Sequence, residues 1–316
     1  MSIDRWAERA QDLALRGDFA GAAALFERAA AELLGARRLD DALSALLAAA
    51  RLQMMLGNSQ GPGDWRRDSG FARAAALLAD AEVPARQRQR LAEVRHLQAE
   101  LADYTGDVAA RERAWTAARD LATGEARVFA LRRLAEIARD TDRPADMIPL
   151  LDEALQTSRD PEQQADTALF LSMAHHALGQ LDRAEAAIER LPLTGAPSPL
   201  LARLHGQRGV LALARDRIDD ALTHALAARS TAVALADAQN YLAASLLLVM
   251  IYQHGGRELD AYDTLIRART SLTDLLGGQA AGLVQPALDA FEARHGEAGM
   301  ATLHAQWVAM RQAKGA

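Results

Sequence analysis

A turn-forming residue recurs along the whole chain. Gly17, Gly57, Gly106, Asp142, Gly179, Asp216, Gly256 and Gly296 follow one another at intervals of 40, 49, 36, 37, 37, 40 and 40 residues. An apolar stretch precedes each of them, and a second stretch, opening with alanine, follows. The one long interval contains an insertion, 58–70, rich in Gly, Pro, Ser and Asp, and without it the interval returns to the common period. A nearly fixed period of this size marks stacked helix hairpins, each too small to bury its apolar face alone.

The positions around the turns keep register. Seven residues before the turn stand Ala10, Ala50, Ala99, Ala135, Ser172 and Gly209. Five after it stand Ala22, Ala184, Ala221, Ala261 and Ala301, with Ala74 once the insertion is skipped. Twelve after come Ala29, Ala118, Ala154, Ala228 and Ala268. Small residues there let antiparallel helices approach closely. Larger ones nine after the turn, Phe26, Trp115, Leu151, Ile188 and Leu265, fill the remaining space. Composition agrees: 72 alanines against 14 aromatic residues favour helix and leave little material for a β-sandwich. The reading is all-α.

This pattern resembles the tetratricopeptide repeat superfamily. The first unit carries Trp6, Ala10, Leu13, Gly17, Asp18, Phe19, Ala22, Phe26 and Ala29 in place; the unit with Tyr252, Gly256, Ala261, Leu265 and Ala268 is a second good match. The resemblance runs over about 3–310. Most intervals are 36–40 residues, longer than the family's ~34, as in its longer-helix variants. It implies a right-handed superhelical solenoid of about eight antiparallel helix pairs. The expected organisation is a single unit, 1–316, with the insertion 58–70 as a loop and a terminal helix pair at about 279–313. The family implies a concave groove and no chemistry.

Several functions are disfavoured directly. There is no cysteine, hence no disulfide, thiol nucleophile or cysteine-bearing metal site. Lys314 is the only lysine, so the body of the chain has none for a Schiff base or a phosphate loop. A net charge of −6 gives no electrostatic reason to expect nucleic acid. Arg86, Arg88, Arg90 and Arg95 read as a solvated face flanked by Glu82 and Glu93. Glu93 and His96 share a helix face but lack the further carboxylates of a metal site, and the neighbours His175 and His176 point apart. No metal, cofactor or enzymatic activity is expected. The charged N-terminus has no secretory pattern, and the longest apolar run, 241–252, is short of the ~20 residues of a membrane span. A cytoplasmic protein with no membrane partner is expected.

The first helix of each unit in such a repeat lines the groove. Its exposed stripe, counted back from the turn, presents Leu47 and Met54; then His96, Glu100, Asp103 and Tyr104; then Phe129, Arg132 and Arg139; then Leu169, Met173 and His176; then Leu213; then Leu246 and Met250. The third and fourth units are polar and mixed in sign, whereas the fifth to seventh are apolar and hold two methionines, which adapt to irregular surfaces. The expected function is a protein-interaction module that takes an amphipathic helix or an extended peptide in the groove. The alternative is a regulatory protein that senses a short peptide or small molecule there. Trp65, Arg66 and Arg67 in the insertion have an interface-anchor composition. A homo-oligomer is compatible with this pattern.

Overall fold

The computed structural model describes residues 3–59, 70–104, 107–277 and 281–315, and among these there are helices and turns but no strand. The chain divides into two compact units, Met1–Arg159 and Asp160–Ala316. In the first, hairpins form from α1 (Ile3–Leu15) with α2 (Phe19–Gly35), α3 (Leu39–Ser59) with α4 (Gly70–Gln87), α5 (Leu91–Asp103) with α6 (Val108–Leu121), and α7 (Gly124–Asp140) with α8 (Pro144–Thr157). In the second, the pairs are α9 (Pro161–Ala177) with α10 (Leu181–Ile188), α11 (Pro199–Ala214) with α12 (Ile218–Ala234), and α13 (Ala238–His254) with α14 (Glu258–Leu276). Helix α15 (Ala281–Gly315) is broken at Gly296, whose φ of 67° and ψ of 174° make it a last hairpin.

Turn chemistry explains the segmentation. Gly17, Asp142, Gly179, Asp216 and Gly256 adopt φ between 55° and 81°, the left-handed conformation that closes a helix C-terminus. The next amide then reaches back five residues: Asp18 N to Leu13 O at 2.9 Å, Arg143 N to Ala138 O at 2.8 Å, Arg257 N to Tyr252 O at 2.8 Å. Carboxylates and a hydroxyl start several of the following helices. Asp18 accepts from Gly21 N at 2.8 Å, Asp107 from Ala110 N at 3.1 Å and Asp160 from Glu162 N at 2.9 Å, while Ser198 accepts from Leu201 N at 3.1 Å.

The small-residue register is the core. Ala10, Ala50, Ala99, Ala135, Ala22, Ala74, Ala184, Ala221 and Ala261 are fully buried, as are Trp115, Leu151, Ile188 and Leu265. Two expectations fail. Gly57 is not a turn: α3 continues through it to Ser59, and it is a packing glycine, because a Cβ there would meet the Phe71 ring at 2.8 Å. Ala301, in the second half of α15, is exposed. Gly106 and residues 60–69, with Trp65, Arg66 and Arg67, lie outside the described residues.

Candidate interaction surface

In the second unit α11 packs against both α9 and α13, so the first helices of three successive hairpins lie side by side. Their shared outer face is apolar. Met173 on α9 is 37% exposed and Met250 on α13 57%. Leu213 and Leu246 are half-buried, held at one edge by the cores beneath. Ala177, Ala214 and Ala243 are exposed, and His176 is half-buried. Gly206 adds an opening: a Cβ there would meet nothing within 4 Å. An ion pair between Arg203 and Asp166 bounds the face at one end, and His254 Nε2 bonds Asp216 Oδ1 at 2.8 Å at the other.

Three residues expected on this type of surface are core instead. Leu169 is 1% exposed and fills the space against Ile188, Leu204 and Leu211. Its position lies on the flank of α9, where a long side chain turns towards the neighbouring helix and not outward. Leu47 and Met54 are buried in the core of the first hairpins. Gly57 does not end their helix, since α3 runs through it to Ser59, so the stripe set by a turn at Gly57 does not apply to them.

The first unit presents a different face on α5 and α7. His96 Nε2 lies 3.2 Å from Glu100 Oε1, and its ring packs at 5.4 Å from Trp115 and 5.3 Å from Phe129. Phe129 is nonetheless 45% exposed. Tyr104, also exposed, stacks on Phe71 with ring centres 4.9 Å apart. Arg132 is half-buried; Arg139 is exposed and pairs with Asp140 at 2.9 Å. Beneath this face sits a polar knot absent from the groove expectation. Asp103 Oδ1 accepts from Trp115 Nε1 at 3.1 Å and Arg111 Nε at 3.0 Å, and Asp103 Oδ2 accepts from Arg133 Nη2 at 2.7 Å. Asp103 therefore ties α5, α6 and α7 together instead of facing a partner. Burial lowers the pKa of the Arg133 guanidinium, but the Asp103 and Glu136 carboxylates outweigh it and the net shift is upward.

The remaining sequence candidates resolve into local pairs. Glu93 bonds Arg90 and His96 bonds Glu100, so the two do not converge. His175 is buried, with Nδ1 at 2.8 Å from Gln180 Oε1. Each arginine of the basic cluster meets a carboxylate: Arg86 and Arg95 on Glu82, Arg88 on Asp40, Arg90 on Glu93. Among the described residues no group of three or more His, Asp or Glu could hold a metal, and no helix is long and apolar enough to cross a membrane.

Helix hairpins stacked through buried alanines define a tetratricopeptide-like helical-repeat fold. The comparisons with solved structures agree. The chain is similar to the apo form of RapI, with a TM-score of 0.61 over 98% of this chain and 86% of RapI at 11% identity. It is also similar to PilW, a widely conserved type IV pilus biogenesis factor, with a TM-score of 0.50 over 75% of this chain and 98% of PilW at 17% identity. At these identities the likeness is one of fold. No family model and no curated protein matches the chain.

Proposed function

We propose that the chain is a non-catalytic protein-interaction module whose apolar face on α9, α11 and α13 receives an apolar segment of a partner protein. The observation that carries this reading is the pair of exposed methionines, Met173 and Met250, on the same face as Leu213, Leu246 and the unfilled space at Gly206. Large apolar side chains left in water on the first helices of stacked hairpins, bounded by an ion pair at one end and a His–Asp hydrogen bond at the other, are an arrangement suited to seat an amphipathic helix or peptide. The aromatic face of α5 and α7, with Tyr104 and Phe129, supplies a second and more polar contact surface. The fold shared with RapI and PilW is compatible with this role and does not choose the partner.

The test is affinity capture from native lysate with the wild type and a Met173→Asp/Met250→Asp variant. A charge desolvated without a counter-ion costs several kcal/mol, so partner retention falls by about a hundredfold or more. Helicity and melting stay near wild type, because both side chains are already exposed. Undiminished capture by the folded variant would remove this face from the interaction.

A further inference from the structure

The connection 189–198 between α10 and α11 is the longest among the described residues, and it follows the shortest helix, α10. Leu191 and Leu193 pack it against the core around Ile188 and Leu204, and polar contacts fasten it as well. Arg208 of α11 donates from Nη2 to the carbonyls of Ile188 and Glu189, at 2.9 and 3.1 Å, which caps the end of α10. The Leu193 backbone, in the middle of the connection, hydrogen-bonds His205, one turn before Arg208. His205 in turn faces His224 of α12, with the two Nδ1 atoms 3.2 Å apart and the ring centres 5.5 Å apart. Arg208, Arg217 and Asp220 are the charged groups that act on this pair: the two arginines disfavour a proton and Asp220 favours one. A cavity of about 370 Å³, lined by His224 with Asp182, Glu185, Glu189, Arg208, Arg217 and Asp220 among others, borders the His224 side of the pair.

Two imidazoles in Nδ1–Nδ1 contact need one ring to donate and the other to accept. Once both are imidazolium, every ring nitrogen is a donor, and two N–H groups meet head-on beside a guanidinium. We propose that the His205–His224 pair is a proton-operated clasp on the α10–α11 connection, closed while the pair holds at most one positive charge and opened when both rings are protonated. Burial, followed by Arg208, lowers the pKa of His205 and outweighs the Leu193 backbone bond, which favours its protonated form; burial, followed by the neighbouring His205, lowers that of His224. The unfolded chain therefore binds more protons than the folded one in acid. The stability contributed here is intact above the free imidazole value of ~6.5 and is lost as pH falls below it. Opening would free Leu193 and loosen the packing of the fifth hairpin on the sixth, a device independent of the proposed docking face.

Hydrogen–deuterium exchange of the full chain at pH 7.5 and 5.0, corrected for intrinsic exchange rates, tests the clasp. In the wild type, amides of 189–198 and the first turn of α11 lose about tenfold protection or more on acidification, while α13 keeps its protection. In His205→Gln/His224→Gln the acid-dependent loss disappears. Unchanged wild-type protection at pH 5.0, or an equal loss in the variant, overturns the proposal. Should the variant not fold, an imidazole NMR titration of the wild type decides. Two coupled steps more than about one pK unit apart support the clasp, and two independent titrations near the ordinary value refute it.

Discussion

Gly57 and Gly70 meet where α3 and α4 cross, and a Cβ on Gly70 would lie 2.6 Å from the Gly57 amide nitrogen and closer still to the Gln53 carbonyl oxygen. The obstacles are backbone atoms, which cannot swing aside as a side-chain end does. The insertion therefore begins and ends at a tight helix contact. Gly70→Ala is expected to cost about 2–3 kcal/mol in chemical denaturation, through overpacking of the α3–α4 crossing. A loss below about 0.5 kcal/mol, the range of an ordinary surface change, would show that the two helices separate without penalty.

Gly206 and Gly209 lie on one helix and are expected to respond with opposite signs. At Gly206 a methyl group meets nothing, so Gly206→Ala gains about 0.5–1 kcal/mol by restricting the unfolded chain. At Gly209 the methyl would stand 3.0 Å from Leu247 Cδ2 and 3.4 Å from the Ala221 carbonyl, and Leu247 is buried. Gly209→Ala is therefore expected to cost about 1–2 kcal/mol. Thermal melts of the two variants with the same sign would contradict this division.

Asp103 holds three donors, from Trp115, Arg111 and Arg133, with side-chain exposure of only 17%. Asp103→Ala leaves them without that acceptor and is expected to cost about 2–3 kcal/mol. Asp103→Asn keeps one carbonyl acceptor and falls between wild type and the alanine variant. Equal stability of all three in denaturant titrations would mean that water replaces the carboxylate freely.

The hairpin register was legible because its physical cause is local to each repeat: a helix pair can close only over small residues, and Ala22, Ala184 and Ala221 announce that by size alone. The ends of the second helices were less legible. Arg37, Gln89 and Ala236 take the left-handed turn conformation without being glycine, so nothing in their identity marks them. Gly57 misled for the opposite reason, since a glycine needed for close packing is spelled the same as a turn glycine. On the candidate surface, Met173 and Met250 are exposed, whereas Leu169 turned inward because its neighbour α11 left room for it. The His205–His224 contact joins residues on two helices and depends on helix rotation, which spacing alone does not give.

The central claim is that a partner segment lies on the α9, α11 and α13 face, and site-specific photocrosslinking measures that directly. A benzophenone side chain in place of Met250, or of Met173, is expected to capture the partner on irradiation in native lysate. The same group in place of Val233, which is 62% exposed on α12, is expected to capture nothing above background. Adducts at Val233 together with silent positions 173 and 250 would contradict the account and move the interaction to another surface of the repeat.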